Sequence, residues 1–321
     1  MKTASKESNR SSYPGHMQEV GFHGMIALFA LTLQNAALVI SMKLSFRPEA
    51  RPYSAPVVVL CVECLKLVSC CSILRASEGP NSLKSSIHSS LHSAKLAIPS
   101  LLYVVQNSLL LVAVQHLSQT AFIVASQGKI ITSAVFSVLL LQKRFTRHQL
   151  LALCILALGI VLVQLQVDVS QKSTNLKGVC TMLAANLTSG YAGVFLERLF
   201  KSSQTDSIWL RNIQLCVFSI PIAAASVFLD LRSHSSTMKL LYVFDGFDSV
   251  VLLVITLNAI GGLISAFVMR YASAVLKCFA VSFSICLCTI VDLLDGHVPS
   301  ARIVTGILLV SISVFVYATK A

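Results

Sequence analysis

The chain has 321 residues, of which 55% are hydrophobic and only 12% are charged. A soluble globular chain carries about 25% charged residues, so this composition is typical of an integral membrane protein and excludes an ordinary soluble enzyme. The formal net charge of +12 does not indicate nucleic-acid binding, because the basic residues are scattered and form no continuous stripe.

Ten apolar runs follow one another along the chain, each near the ~20 residues that a helix needs to cross a bilayer. They are continuously apolar, whereas the strands of a membrane β-barrel alternate apolar and polar residues. The sequence therefore predicts an all-α integral membrane protein with ten transmembrane helices and no soluble catalytic domain. The predicted spans are 22–44, 54–75, 95–116, 120–141, 149–166, 176–198, 208–229, 248–270, 274–294 and 301–319.

The order of the spans also predicts a topology. Residues 1–20 are polar, and we expect them to form a cytosolic N-terminal tail rather than a cleaved signal peptide. The distribution of lysine and arginine in the loops favours cytosolic placement of both termini. The halves 21–170 (spans 1–5) and 171–321 (spans 6–10) end in similar patterns. Because five is odd, two similar halves would have opposite orientations, the inverted-repeat plan of many secondary transporters.

Polar side chains interrupt the third and fourth spans. Gln106 and Asn107 lie in the third, and Lys129 lies about ten residues into the fourth. A lysine at that depth costs roughly 3 kcal/mol on insertion scales, so we expect it to face protein, water or a ligand. The two amides suit helix–helix hydrogen bonding and recognition of a base equally well. Tyr103, one turn earlier, is placed to stack on a ring.

A second intramembrane lysine, Lys277, lies in the ninth span, near the position that corresponds to Lys129 in the other half. Two ammonium groups facing one cavity predict an anion site, most naturally for phosphate. The alternative for each lysine is snorkelling to the interface or a structural ion pair. Glu63 and Lys66 are three residues apart on one helix face and predict a buried ion pair that locks the second helix or acts as a gate.

Catalysis has no support in the sequence. No Ser-His-Asp order, metal-ligand cluster or glycine-rich phosphate loop occurs, so we expect no enzyme activity, no metal site and no cofactor. All ten cysteines fall in apolar runs and are interpreted as packing residues, including the pair Cys61 and Cys64. The glycosylation sequon at Asn186 lies inside a predicted span and should remain unmodified.

Four features, taken in order, resemble the Golgi nucleotide-sugar transporters, and most closely the group that carries UDP-galactose, UDP-N-acetylglucosamine and CMP-sialic acid. The resemblance covers nearly all of the chain after residue 20. It is carried by the Gln106-Asn107 pair with Lys129 following, the segment Ser189–Glu197, the segment Trp209–Gln214, and Gly261-Gly262 leading to Lys277. Glu63 and Lys66 also resemble the second helix of that family.

The resemblance implies an inverted repeat of five helices and exchange of a cytosolic nucleotide sugar for a luminal nucleoside monophosphate. It implies location in the Golgi membrane, with the endoplasmic reticulum as the alternative. Lys129 and Lys277 would hold the phosphate by position. The residues expected to line the nucleotide cavity are Tyr103, Gln106, Asn107, Ser189 and Asn212. Further expected partners are membrane lipid, a second copy of the chain, or glycosyltransferases.

The cargo stays open between related substrates. CMP-sialic acid carriers tend to have tyrosines in their fourth and seventh helices, where this chain has Phe122, Ser126 and Cys216. A UDP-sugar is therefore expected ahead of CMP-sialic acid. Two further alternatives are a non-nucleotide organic anion carried by the same fold, and a transport-inactive membrane scaffold for glycosylation enzymes. The two intramembrane lysines argue against the scaffold, because a protein without transport could lose charges that are costly to insert.

Overall fold

The structure is a computed structural model, and it describes residues 21–45, 53–78, 97–164, 175–202, 207–233, 244, 246–294 and 301–318. Within these ranges the chain forms eleven α-helices and no β-strand. The predicted tail at 1–20 lies outside them. The helices are α1 (Phe22–Ser45), α2 (Ala55–Glu78), α3 (Ala97–His116), α4 (Gln119–Ser126), α5 (Gly128–Leu141), α6 (Arg147–Gln164), α7 (Leu176–Ser202), α8 (Ile208–Ser233), α9 (Ser249–Tyr271), α10 (Ala274–Leu294) and α11 (Ala301–Ala318).

The prediction of an all-α membrane protein is confirmed. Among the described residues, nine helical stretches are long and apolar enough to cross a membrane, and α3 contributes a shorter apolar stretch, Ala97–Gln106. The helices follow the predicted spans closely, because a long apolar run strongly favours a helix in lipid, where every backbone polar group needs a partner. Polar side chains mark some of the starts: the N–H of Ala121 donates to Ser118 Oγ at 3.3 Å, and that of Val251 to Asp248 Oδ1 at 2.9 Å.

The predicted run 120–141 is recovered as a membrane-length stretch, Ala121–Leu141, but it is not one continuous helix. α4 ends at Ser126, Gln127 forms a turn, and α5 begins at Gly128. The N–H of Gln127 donates to the carbonyl of Val124 at 3.2 Å, and that of Ile130 to the carbonyl of Gln127 at 3.0 Å. These bonds have the three-residue spacing of a 3₁₀ turn. Consequently, the lysine of this span stands in the first turn of a new helix.

The helices pair extensively between the two halves. α6 packs on α11, α3 on α7, α1 on α9 and α2 on α8, while α5 also packs on α7 and α10 on α1. With α4 and α5 counted together as the fourth span, the ten spans can be renumbered so that each takes the place of the span five positions away. The pair of spans 3 and 6 then becomes the pair of spans 8 and 1, and the whole set of pairs is unchanged. Two structurally related halves would give such a pattern.

The pair α6–α11 is in contact through its backbones. A Cβ atom on Gly159 would lie 2.9 Å from the backbone N of Val310, and one on Gly306 would lie 2.8 Å from the carbonyl oxygen of Gly159. Small residues of this kind let membrane helices approach closely. The surrounding apolar core includes Leu156, Ile160, Phe279 and Val310. None of the described residues of this core borders the large cavity described next.

Candidate functional site

A cavity of about 690 Å³ lies between the two halves. Residues of α1, α2, α3, α7, α8, α9 and α10 form its wall. Small-molecule sites typically occupy about 300–1,000 Å³ and combine apolar walls with a few convergent polar groups. The polar residues of this wall are Gln34, Asn35, Glu63, Lys66, Ser100, Tyr103, Asn212, Ser219, Ser226, Asn258, Ser265 and Lys277.

The structure brings together five of the residues that the sequence singled out, because the wall contains Glu63, Lys66, Tyr103, Asn212 and Lys277. Three others are described but lie outside the wall: Gln106, Lys129 and Ser189. Asn107 belongs to α3, and its side chain is not among those that the structure describes.

Lys277 gives the wall an uncompensated positive charge. It is the fourth residue of α10, and no carboxylate pairs with it in the part of the chain that the structure describes. The positive charges of Lys129 and Lys66 add to that of Lys277 in this region. An ammonium group held away from water without a counter-charge is unfavourable, so this region of the cavity attracts an anion.

Lys129 stands beside this region, in the first turn of α5, with an exposed side chain. It has no ion pair with any described residue. Of the two lysines of the sequence prediction, only Lys277 belongs to the wall, and Lys129 lies on α5, which packs against the helix of Lys277, α10.

Glu63 and Lys66 are joined as an ion pair in the wall. Glu63 Oε1 lies 2.6 Å from Lys66 Nζ, and both side chains are mostly buried. The other carboxylate oxygen accepts a hydrogen bond from Ser219 Oγ at 2.5 Å and a weak one from Cys216 Sγ at 3.8 Å. Glu63 thus neutralises Lys66 and connects α2 to α8 at the same time. The stem of Lys66 packs against Gly262, where an added Cβ would lie 2.8 Å from Lys66 Cδ.

Tyr103 and Asn212 supply an aromatic ring and an amide to the wall. The ring of Tyr103 is 58% exposed and faces no stacking partner among the described residues. Asn212 is buried, and its Nδ2 donates to the carbonyl of Ile208 in its own helix at 2.9 Å. Its side-chain oxygen has no hydrogen-bond donor within the described chain and can accept one from a ligand.

Three amides of the wall were missed by the sequence analysis. Gln34 Nε2 donates to the carbonyl of Leu257 at 2.8 Å, and Asn35 Nδ2 donates to Ser284 Oγ at 2.5 Å. Asn258 Nδ2 donates to a carbonyl of its own helix. The sequence pattern could have revealed two of them, because Gln34 and Asn35 interrupt the first apolar run in the same way that Gln106 and Asn107 interrupt the third.

A second charged group, which we call the Glu197 junction, lies outside the cavity wall. Glu197 is fully buried, and its Oε1 lies 2.5 Å from Lys143 Nζ and 2.7 Å from Lys201 Nζ. Its Oε2 accepts from the N–H of Ala274 at 2.9 Å, and Lys201 also donates to the carbonyl of Ala272 at 2.6 Å. The junction joins α7 to the α5–α6 connection and to the turn between α9 and α10.

Three further features of the sequence, the possible metal ligands, the cysteines and the glycosylation sequon, form no functional site in the described part of the chain. It contains no group of three or more His, Cys, Asp or Glu residues that could hold a metal ion. The ten cysteines are free thiols. Asn186 of the sequon is 4% exposed within α7, a position that a glycosylating enzyme cannot reach.

Comparisons with known proteins assign the chain to a family. A family model described as "Nucleotide-sugar transporter" matches residues 22–318. A UDP-galactose/UDP-N-acetylglucosamine transporter, srf-3 of Caenorhabditis elegans, is 33% identical over 91% of this chain and 81% of its own length. A human UDP-N-acetylglucosamine transporter is 33% identical over 91% of this chain and 94% of its own length. A Caenorhabditis elegans UDP-N-acetylglucosamine/UDP-N-acetylgalactosamine transporter, nstp-4, is 36% identical over 82% of this chain and 83% of its own.

The fold has a counterpart among solved structures. A protein known from a crystal structure aligns over 92% of this chain and 96% of its own, with a TM-score of 0.64 and 13% identity. At that identity the likeness shows the fold alone. The sequence relatives are transporters rather than enzymes, and their alignments extend over most of this chain. The chain is therefore a multi-pass membrane protein that belongs to the nucleotide-sugar transporter family.

Proposed function

We propose that this protein is an antiporter that exchanges a cytosolic UDP-sugar for luminal uridine monophosphate by alternating access. The observation that carries the proposal is the uncompensated charge of Lys277 in a cavity of about 690 Å³, with Lys129 beside it. Phosphate is the anion that such a pair of lysines suits best. The relatives support uridine as the base, since all three described above are named as transporters of UDP-sugars.

The polar wall supports recognition of a nucleotide rather than of phosphate alone. The exposed ring of Tyr103 offers a surface for a base, and the buried amide of Asn212 offers a hydrogen-bond acceptor for a ring N–H. Both residues lie in the same wall as Lys277. A non-nucleotide organic anion would need the lysines but not these two groups. We therefore favour a nucleotide sugar over other phosphate esters.

The positive charges of the lysines favour exchange over one-way transport. Glu63 neutralises Lys66, whereas Lys277 in the wall and Lys129 beside it have no carboxylate partner among the described residues. A nucleotide phosphate group carries about two negative charges near neutral pH. Closing the empty cavity would bury the lysines without a counter-charge, which is costly, whereas the loaded cavity is balanced. The carrier should therefore change sides readily only when a uridine nucleotide is bound.

The architecture that would perform this exchange is a pair of inverted repeats, 21–170 and 171–321. Its support is the helix pairing, which is unchanged when each span is exchanged for the one five positions away. We place the protein in the Golgi membrane, as the family resemblance implies. Both termini would lie in the cytosol, as the loop charges favour.

The decisive experiment is uptake of labelled nucleotide sugars into proteoliposomes that contain the purified protein. The liposomes are preloaded with UMP, CMP, GMP or buffer, and the panel includes UDP-galactose, UDP-N-acetylglucosamine and CMP-sialic acid. We expect uptake of a UDP-sugar that depends on UMP inside. Uptake that occurs only with CMP inside would show that the base is cytosine and not uracil. No uptake under any preload, from folded protein, would leave an organic anion carrier or a scaffold.

The lysines are tested in the same assay. Lys129→Met and Lys277→Met should each reduce exchange at least about tenfold, the effect of losing one charge-assisted phosphate contact. Lys177→Met is the matched control, because Lys177 is an exposed lysine at the start of α7 outside the cavity wall. Wild-type exchange by both cavity variants would refute the proposed phosphate site.

A further inference from the structure

The break in the fourth span is held by a side chain of a different helix. Asn186 lies on α7, is 4% exposed, and donates from Nδ2 to the carbonyl oxygen of Ala125 at 2.7 Å. Ala125 is two residues before Gln127, where α4 gives way to α5. The amide therefore satisfies a carbonyl at the point where the helix is interrupted.

The first turn of α5 makes a second contact with the same place on α7. Thr132 Oγ1 donates to the backbone carbonyl of Asn186 at 2.8 Å. Glycines bring the two helices together: a Cβ on Gly128 would lie 2.6 Å from Asn186 Nδ2, and one on Gly190 would lie 2.5 Å from Thr132 Oγ1. Lys129 stands between Gly128 and Thr132, so the backbone is fixed on both sides of it.

These contacts hold the backbone from which the lysine side chain extends. A carbonyl freed by a helix break at membrane depth is unfavourable unless another group bonds to it. If Asn186 did not supply that bond, the span could regain it by running on as an ordinary helix. Each residue of an α-helix turns the chain by about 100°, so removal of the 3₁₀ turn would rotate α5 and redirect Lys129.

We propose that Asn186 is a positioning residue, which holds the first turn of α5 so that the Lys129 ammonium stands beside Lys277 to bind a nucleotide phosphate. The inference rests on the proposed function of Lys129, and it adds a residue that contacts neither the cavity nor its ligand. Its sequence context, an apparent glycosylation sequon, gives no indication of such a role.

The test is a double-mutant cycle read by binding of UMP to the purified full-length protein in nanodiscs, with dissociation constants measured at fixed salt. The variants are Asn186→Ala, Lys129→Met and the combination. Asn186→Ala should weaken UMP binding about tenfold in the wild-type background, but less than about twofold when Lys129 is already methionine. A merely structural asparagine would weaken binding equally in both backgrounds.

Two further variants keep the test informative. Thr132→Val removes the bond to Asn186 together with the bond from Thr132 Oγ1 to the carbonyl of Lys129 at 3.1 Å. It preserves the shape of the side chain and should weaken UMP binding about threefold with the same dependence on Lys129. It replaces Asn186→Ala if that variant does not fold. Thr188→Val is the matched control, because Thr188 bonds only to carbonyls of its own helix and its loss also removes the sequon.

The outcomes separate the two proposals. Equal losses in both backgrounds would overturn the positioning role and leave the phosphate site intact. Wild-type UMP affinity in Lys129→Met would overturn the phosphate role of Lys129 and, with it, the role of Asn186. A loss confined to the background that retains Lys129 would support both.

Discussion

Replacing Glu197 by glutamine should markedly lower the stability of the folded protein. The carboxylate is completely buried and serves two lysines whose side chains are only 17% and 25% exposed, Lys143 and Lys201. Glutamine keeps the shape and can still accept from the N–H of Ala274, but it removes the counter-charge of both. Removing one partner of a buried ion pair costs about 3–5 kcal/mol. At roughly 2–4 °C per kcal/mol, the Tm should fall by about 10 °C.

The assay is thermal unfolding of the protein in nanodiscs, followed by the fluorescence of the single tryptophan, Trp209. Adding Lys143→Met to Glu197→Gln removes one uncompensated ammonium and should restore several degrees. Lys177→Met, which removes an exposed lysine of the same helix, should change the free energy of unfolding by less than about 0.5 kcal/mol. A Tm for Glu197→Gln within 2 °C or so of wild type would refute the reasoning.

The pH dependence gives an independent check. Burial lowers the pKa of Lys143 below its ordinary value of 10.5, and Glu197 partly opposes that shift. Without Glu197 the pKa falls further, so between the lowered folded pKa and 10.5 the unfolded state binds more protons than the folded state. Stability of the variant should therefore rise with pH in that window. Its Tm deficit relative to wild type should shrink as the pH rises through that window, and a constant deficit would contradict this account.

Two further predictions concern packing and cavity charge. Gly306→Ala should lower the free energy of unfolding by about 1–3 kcal/mol, measured by thermal unfolding, because the new Cβ would lie 2.8 Å from a backbone oxygen. The control is Gly193→Ala, which should be tolerated because its Cβ would meet only Ala274 Cβ at 3.8 Å. Glu63→Gln leaves Lys66 unpaired in the wall, so UMP should bind about threefold to tenfold more tightly at low salt while exchange slows. Unchanged affinity and salt dependence would refute the charge argument.

The sequence predicted the helices well because burial in lipid is a local requirement. The predicted span 274–294 coincides with α10, since a run of apolar residues at membrane length has few alternatives to a helix. Lys277 and Glu63 were found for a related reason. A charge in such a run is conspicuous, and the structure places both in the cavity wall.

The features that the sequence analysis missed depend on contacts between distant segments. The break at Gln127 is supported by Asn186, whose bond to Ala125 spans 61 residues of sequence. The Glu197 junction depends on Lys143, 54 residues away. The spacing of residues within one apolar run cannot predict hydrogen-bond or ion-pair partners that lie so far away in the sequence. Both contacts become visible only when α7 is packed against the fourth span and the α5–α6 connection.

The α6–α11 contact has a mechanical consequence. These helices come from different halves, and Gly159 and Gly306 bring their backbones together at a place that borders no part of the described cavity. A joint packed this tightly, by backbone atoms and by the side chains of Val163 and Val310, has little room to slide. If the halves rock to expose the cavity on alternate faces, displacements should be smaller at this joint than at the α2–α8 pair, which lines the cavity. The contact at the two glycines would then be the pivot of the motion, and α2 and α8 would move about it.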